Sequence, residues 1–142
     1  MILPIRAKHK QNLSEYEIIT QKISKTEIFD LYLHHQSSRH NIKMRIISFR
    51  KLKEFFETPG NEDSEISLRA WNDKVEHADW TSHADLKRDF PSADYVGNDR
   101  YVFNIKGNNY RLVVVVIFNP RWVLVRWVGR HKDYDKIDCT TI

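Results

Sequence analysis

Arginine, histidine, lysine and tyrosine crowd into one short stretch, Arg126-Trp-Val-Gly-Arg-His-Lys-Asp-Tyr-Asp135, at the end of an apolar run. A place where a rigid strand gives way to an exposed segment is where side chains can meet a ligand. The set matches what metal-independent RNA cleavage needs. One group takes the proton from the ribose 2′-hydroxyl, a second protonates the leaving 5′-oxygen, and fixed positive charge stabilises the phosphorane. Histidine titrates in the useful range. The planar fork of arginine suits phosphate, and tyrosine can stack on a base or donate a proton. His131 with Arg111, Arg126 and Tyr134 covers every role. Three of the four also have a plainer explanation: His131 as a surface or capping residue, Arg126 stacking at a sheet edge near two Trp, Tyr134 plugging the core behind the last strand.

No carboxylate pair competes for the chemistry. His34, His35 and His40 lie in a polar stretch with no thiolate beside them, so neither a metal nor a cofactor is expected. His77 and His83 flank helix ends and read as solvent-facing. The turn Lys106-Gly-Asn-Asn109 joins two strands and opens no helix, so it is not a phosphate loop.

The elements that must position these residues come in a clear order. Met44-Arg-Ile-Ile-Ser-Phe49 reads as a short strand and Arg50–Glu57 as one or two helical turns, which Thr58-Pro-Gly-Asn61 breaks. From Asp63 or Ser64, the spacing of Ile66, Leu68, Trp71 and Val75 predicts a helix. Ser82 is a natural N-cap for another, His83 to Phe90, closed by Pro91. Then the period changes to two. Strands over Tyr101–Lys106, Tyr110–Phe118 and Trp122–Val128, joined by turns at Gly107–Asn109 and Asn119–Arg121, predict an antiparallel meander. The expected class is α+β, with two or three helices packed on a small antiparallel sheet formed by residues 44–142.

Residues 1–43 differ from the rest. Weak helices fit Ser14–Leu33, and Leu33–Lys43 is polar and aperiodic. This extension reads as weakly helical, as disordered, or as an artefact of an upstream start, since Met44 opens the patterned block. A real appendage that packs on the domain or binds a partner protein is the other reading. No apolar run approaches the roughly 20 residues that span a bilayer, and the N-terminus has no signal-peptide pattern. With one cysteine, Cys139, no internal disulfide can form, and a cytoplasmic setting without a membrane partner is expected.

The net charge of +4 hides a segregation. Residues 61–99 carry four basic against ten acidic groups, whereas residues 100–142 carry eight against three. A basic sheet attracts phosphate in a salt-dependent way, although charge alone equally fits a solvated surface.

Phe90-Pro-Ser-Ala-Asp-Tyr95, Tyr101-Val-Phe-Asn-Ile-Lys-Gly-Asn-Asn-Tyr-Arg-Leu112, and Val125-Arg126 followed by His131-Lys-Asp-Tyr-Asp-Lys-Ile137 together resemble the HigB toxins of type II toxin–antitoxin systems. The resemblance covers about Met44 to Asp138, with separated motifs in the right order. It implies a RelE-like fold, cleavage of mRNA in the A site of the translating ribosome, and neutralisation by a helix-turn-helix antitoxin of the HigA type. The family pattern matches at Asn104, Arg111, Arg126, His131, Lys132, Tyr134 and Asp135. It implies proton transfer by His131 and Tyr134 and a phosphate clamp of Arg111 and Arg126. Lys106, Lys132, Asn104 and Arg130 are the expected RNA contacts, Arg130 standing where the family often has a small polar residue. Asp135 orients a neighbour. Other classes stay open: a toxin-like module that binds antitoxin or ribosome without cutting, or a ribonuclease acting on free RNA.

Overall fold

The computed structural model describes Ser24, Thr26, Glu27 and residues 43–142. The chain separates into two units, Met1–His40 and Asn41–Ile142. In the first, Ser24 and Glu27 form a capping box. The Ser24 N–H donates to Glu27 Oε2 at 2.7 Å, and the Glu27 N–H to Ser24 Oγ at 3.3 Å. The remaining expectations for residues 1–42 lie outside the described residues.

The second unit runs β1 (Arg45–Ile47), α1 (Phe49–Glu57), a 3-10 turn (Glu62–Ser64), α2 (Glu65–His77), α3 (His83–Asp89), β2 (Asp94–Gly97), β3 (Arg100–Ile105), β4 (Tyr110–Ile117), β5 (Trp122–Arg130) and a single turn α4 (His131–Tyr134). The class is α+β, as expected. The sheet is larger than the meander, however, and it is mixed. Its order is β1-β5-β4-β3-β2, and β1 pairs parallel to β5. Met44-Arg-Ile-Ile therefore joins the sheet on the far side from its sequence neighbours, a pairing that local patterning cannot announce. The added strand β2 turns into β3 through Asn98 and Asp99, both at positive φ (50° and 59°). Asn and Asp are the residues that tolerate this tight hairpin geometry.

Helix formation follows the apolar spacing. Leu68, Trp71 and Val75 are the buried residues of α2, and Leu52 and Phe56 those of α1. The Ser82 side chain caps α3 by accepting from the Asp85 N–H, while Asp85 Oδ2 accepts from the Thr81 N–H and hydroxyl, both at 2.9 Å. On the sheet, Tyr101, Phe103, Ile105, Tyr110, Leu112, Val114, Val116, Val123 and Val125 alternate into the core shared with these helices. Phe103 lies edge-on to Trp71 (5.4 Å) and Phe90 (4.9 Å). The intervening residues of β3 and β4, Asn104 and Arg111 among them, face the opposite side.

One irregularity positions the end of β5. Val113 pairs with Trp127 but Val114 pairs with Val125, leaving Arg126 as the extra residue of a bulge. The bulge resets the alternation, so Val128 returns to the core and Trp127 falls on the far face. Gly129 then has a structural reason. A Cβ there would come within 2.3 Å of the Trp127 ring, which packs along this stretch of backbone.

Candidate nucleic-acid interface

The β3–β4 turn and α4 meet at one end of the sheet. Lys106 and Gly107 adopt left-handed backbone (φ 50° and 63°), which folds the four-residue turn 106–109. The His131 N–H donates to the Asn109 carbonyl at 2.9 Å, tying the start of α4 to that turn. A second tie comes from the helical layer. Lys106 Nζ donates to Asp63 Oδ2 and the Tyr110 hydroxyl to Asp63 Oδ1. The bonds from Lys106 and then Tyr110 hold the Asp63 carboxyl below the usual carboxylate range. The same carboxylate pushes the Tyr110 hydroxyl up. Arg130 donates to the Gly60 carbonyl and lies 5.9 Å from the Tyr110 ring centroid.

These ties frame a cleft of about 530 Å3 lined by Asp63, Asn108, Asn109, Tyr110, Arg130, His131 and Lys132. Arg111 stands behind it. Its Nη2 donates to Asn108 Oδ1 at 2.8 Å, and its Nη1 reaches the Asn108 and Tyr110 carbonyls at 3.4 and 3.3 Å.

The far face of the sheet holds a second cationic group. The Trp127 and Tyr134 rings are 6.3 Å apart, and the Tyr134 hydroxyl donates to Cys139 Sγ at 3.3 Å. Burial, then the Cys139 contact, pushes the Tyr134 hydroxyl up to about 12. Residues 138–142 cross this face. Arg126 Nε donates to the Ile142 oxygen at 3.3 Å, and Arg100, 1% exposed, gives that oxygen two bonds of 3.1 and 2.7 Å. Burial lowers the pKa of Arg100. Asn98 Nδ2 adds a bond to the Thr140 carbonyl at 3.0 Å.

The eight residues singled out from sequence thus fall into two groups around one end of the sheet. His131, Lys132 and Arg130 line the cleft, and Lys106 adjoins it through Asp63. Arg111, Tyr134, Arg126 and Asn104 belong to the other face, with Asn104 paired opposite Arg111. Arg111 bridges the groups through Asn108, and α4 carries His131 and Tyr134 on one turn. Sequence reasoning missed Asp63, Asn108 and Tyr110 as site-building groups, and Arg100 as a buried cation. Asp63 is 47 residues from Tyr110 in the chain, so no local pattern could link them. Asn108 was visible only as a turn residue. Among the described residues, no group of three His, Cys, Asp or Glu could hold a metal ion.

The family model "HigB_toxin, RelE-like toxic component of a toxin-antitoxin system" matches residues 64–137. The chain is 33% identical over 95 residues to "mRNA interferase toxin HigB" of Escherichia coli (strain K12), an alignment covering 65% of this chain and 88% of that relative. The proteins named "mRNA interferase HigB" of Escherichia coli O157:H7 and of Shigella flexneri match with the same identity and coverage. The residues matched by the family model include Asp63's neighbour Ser64 at one end and all of α4 at the other.

Proposed function

The chain belongs to the HigB toxin family, and from that premise we propose that it is the toxin of a type II toxin–antitoxin pair. In this reading residues 44–142 form a RelE-like endoribonuclease domain that cuts mRNA in the A site of the translating ribosome, in the cytoplasm, and so stops translation and growth. Its antagonist is a HigA-type helix-turn-helix antitoxin. The reaction uses side chains alone, with no metal or cofactor.

One observation carries the proposal most: a histidine, His131, sits in a cleft whose other walls include Arg130 and Lys132. A phosphodiester drawn there meets positive charge on several sides and an imidazole that can carry a proton. His131 takes the 2′-hydroxyl proton or returns a proton to the leaving oxygen. Tyr134, which keeps its proton far above neutral pH, serves as a donor or a stacking surface and not as a base. Arg111 and Arg126 clamp the phosphate, and Lys106, Lys132, Arg130 and Asn104 contact the RNA. The acid–base set is sparse, which favours reliance on the ribosome to orient the substrate.

A second reading has its own observation. The Tyr134 hydroxyl is bonded to Cys139, the Arg126 Nε to Ile142 and Arg111 to Asn108, so three of the four proposed catalytic groups are engaged within the chain. That arrangement suits a toxin-like module that binds antitoxin or ribosome without cutting. The pair is separated by His131→Ala in a growth assay with antitoxin pull-down. The enzyme reading expects toxicity to vanish while antitoxin binding persists. Full toxicity from His131→Ala would remove His131 from the mechanism.

A further inference from the structure

The cleft beside His131 is rich in hydrogen-bond donors, and the cause is the way its amides and carboxylate are tied. A guanidinium can only donate, so the Asn108 atom facing Arg111 Nη2 at 2.8 Å must be Oδ1. That leaves the Asn108 Nδ2 with two N–H groups that donate to no protein group among the described residues. The Lys132 ammonium, also in the wall, is likewise uncommitted, and Arg130 keeps donors beyond the one on the Gly60 carbonyl. The one carboxylate in the wall, Asp63, has both oxygens engaged, by Lys106 and by Tyr110. Asn109 can turn either edge of its amide and so does not discriminate.

Resting on the reading of the chain as an RNA-cleaving toxin, we propose that this cleft reads a guanine of the substrate, and that Asn108 is the specificity-determining residue. Guanine presents two acceptors side by side, O6 and N7, and donors are the groups the cleft fixes in place. Adenine needs a fixed acceptor for its N6 amine. In the usual paired Asn–adenine contact the amide oxygen supplies it, and the Asn108 oxygen already accepts from Arg111, whereas its Nδ2 is unshared among the described residues. The cleft volume, about 530 Å3, falls within the roughly 300–1,000 Å3 of small-ligand sites. Arg111 here acts as a positioning residue for Asn108, in addition to any contact it makes with phosphate.

The test uses the full chain on ribosomes programmed with mRNAs of varied sequence, with cut sites mapped by primer extension. Wild type should enrich guanine at one position flanking the cut. At that position inosine, which keeps O6 and N7, should support cutting as guanine does. Adenine and 7-deazaguanine should slow it about tenfold. Asn108→Asp preserves an acceptor for Arg111 and removes the two donors. It should bring the ratio of cutting at guanine to cutting at adenine close to one, whatever it does to the overall rate. Cutting by wild type with no guanine enrichment, or a preference unchanged in Asn108→Asp, overturns the assignment and leaves the RNase reading intact. Absence of cutting by wild type under every condition would instead sink the RNase reading and this inference with it.

Discussion

His131 and Tyr134 share one helical turn but differ in what their surroundings allow. His131 sits in the cleft, and its backbone N–H is fixed by Asn109. Tyr134 packs against Trp127, and burial raises its hydroxyl to about 12. For a phenol raised in this way, the folded state favours the neutral form. The associated stabilisation is complete below the ordinary value of 10 and is lost as pH climbs through about 12. No titration of Tyr134 therefore falls within the physiological range. Tyr134→Phe should lower the cleavage rate without moving the pH dependence measured between about pH 5 and 9. A limb that disappears in Tyr134→Phe would mean that this tyrosine titrates during turnover despite its burial. The sequence marked both residues because they cluster with arginine behind an apolar strand. It could not reveal that Tyr134 lies among Trp127 and Cys139, which reach it through the β5 bulge and the C-terminal segment.

Among the elements, the β3–β4 turn depends on a latch from the helical layer. Asp63 receives Lys106 and Tyr110 across the gap between the 3-10 turn and the hairpin. A carboxyl held low contributes stability above its unfolded pKa, near 3.8, and loses it as pH falls through the lower folded value. Asp63→Asn should therefore loosen the turn at neutral pH. Amide hydrogen exchange at residues 106–109 should quicken while that of β4 stays protected. Equal protection in the two proteins would show that the turn holds without the latch. The other end of the site rests on Gly129, where a Cβ would strike the Trp127 ring. Gly129→Ala should cost about 1–3 kcal/mol, as overpacking does, and should shift α4 by displacing Trp127 from Tyr134. An unchanged melting temperature would place the Trp127 ring elsewhere in solution.

Element boundaries were largely legible. Ile66, Leu68, Trp71 and Val75 announced α2, although Ile66 lies exposed, off the buried stripe, and the β-branched run of residues 110–118 announced the central strand. The parallel β1–β5 pairing was not, because pairing across 77 residues, as between Arg45 and Trp122, leaves no local periodicity. Strand β2 was missed for a different reason. Asn98 and Asp99 tolerate the left-handed backbone of its turn without being a strong hairpin signal, and the strand is only four residues long and partly exposed. The candidate site was legible as a list of cations, His131 and Tyr134. Its division between the cleft and the far face follows from strand alternation and the Arg126 bulge, neither of which residue types disclose.

At the scale of the whole molecule, charge is divided along the chain: ten acidic groups over residues 61–99, eight basic groups over residues 100–142. The basic block builds β3, β4, β5 and α4, the elements that surround the site. If the proposed function holds, binding of single-stranded RNA to those cations would release counterions, so affinity should fall with salt. Removing one phosphate contact by Lys132→Ala should reduce the slope of log affinity against log salt by about 0.7. An unaltered slope would take Lys132 out of the interface. Arg126 and Arg100, held on the Ile142 oxygen, show that not every cation of the block is equally available.

The most direct measurement is primer extension on an mRNA incubated with the purified full chain, with and without programmed ribosomes, alongside His131→Ala. Cuts confined to codons in the ribosomal A site, lost by a factor of about 10²–10⁴ in His131→Ala, are the expected result. Cuts on free mRNA would contradict the reliance on the ribosome, and equal cutting by His131→Ala would contradict the placing of the chemistry in this cleft.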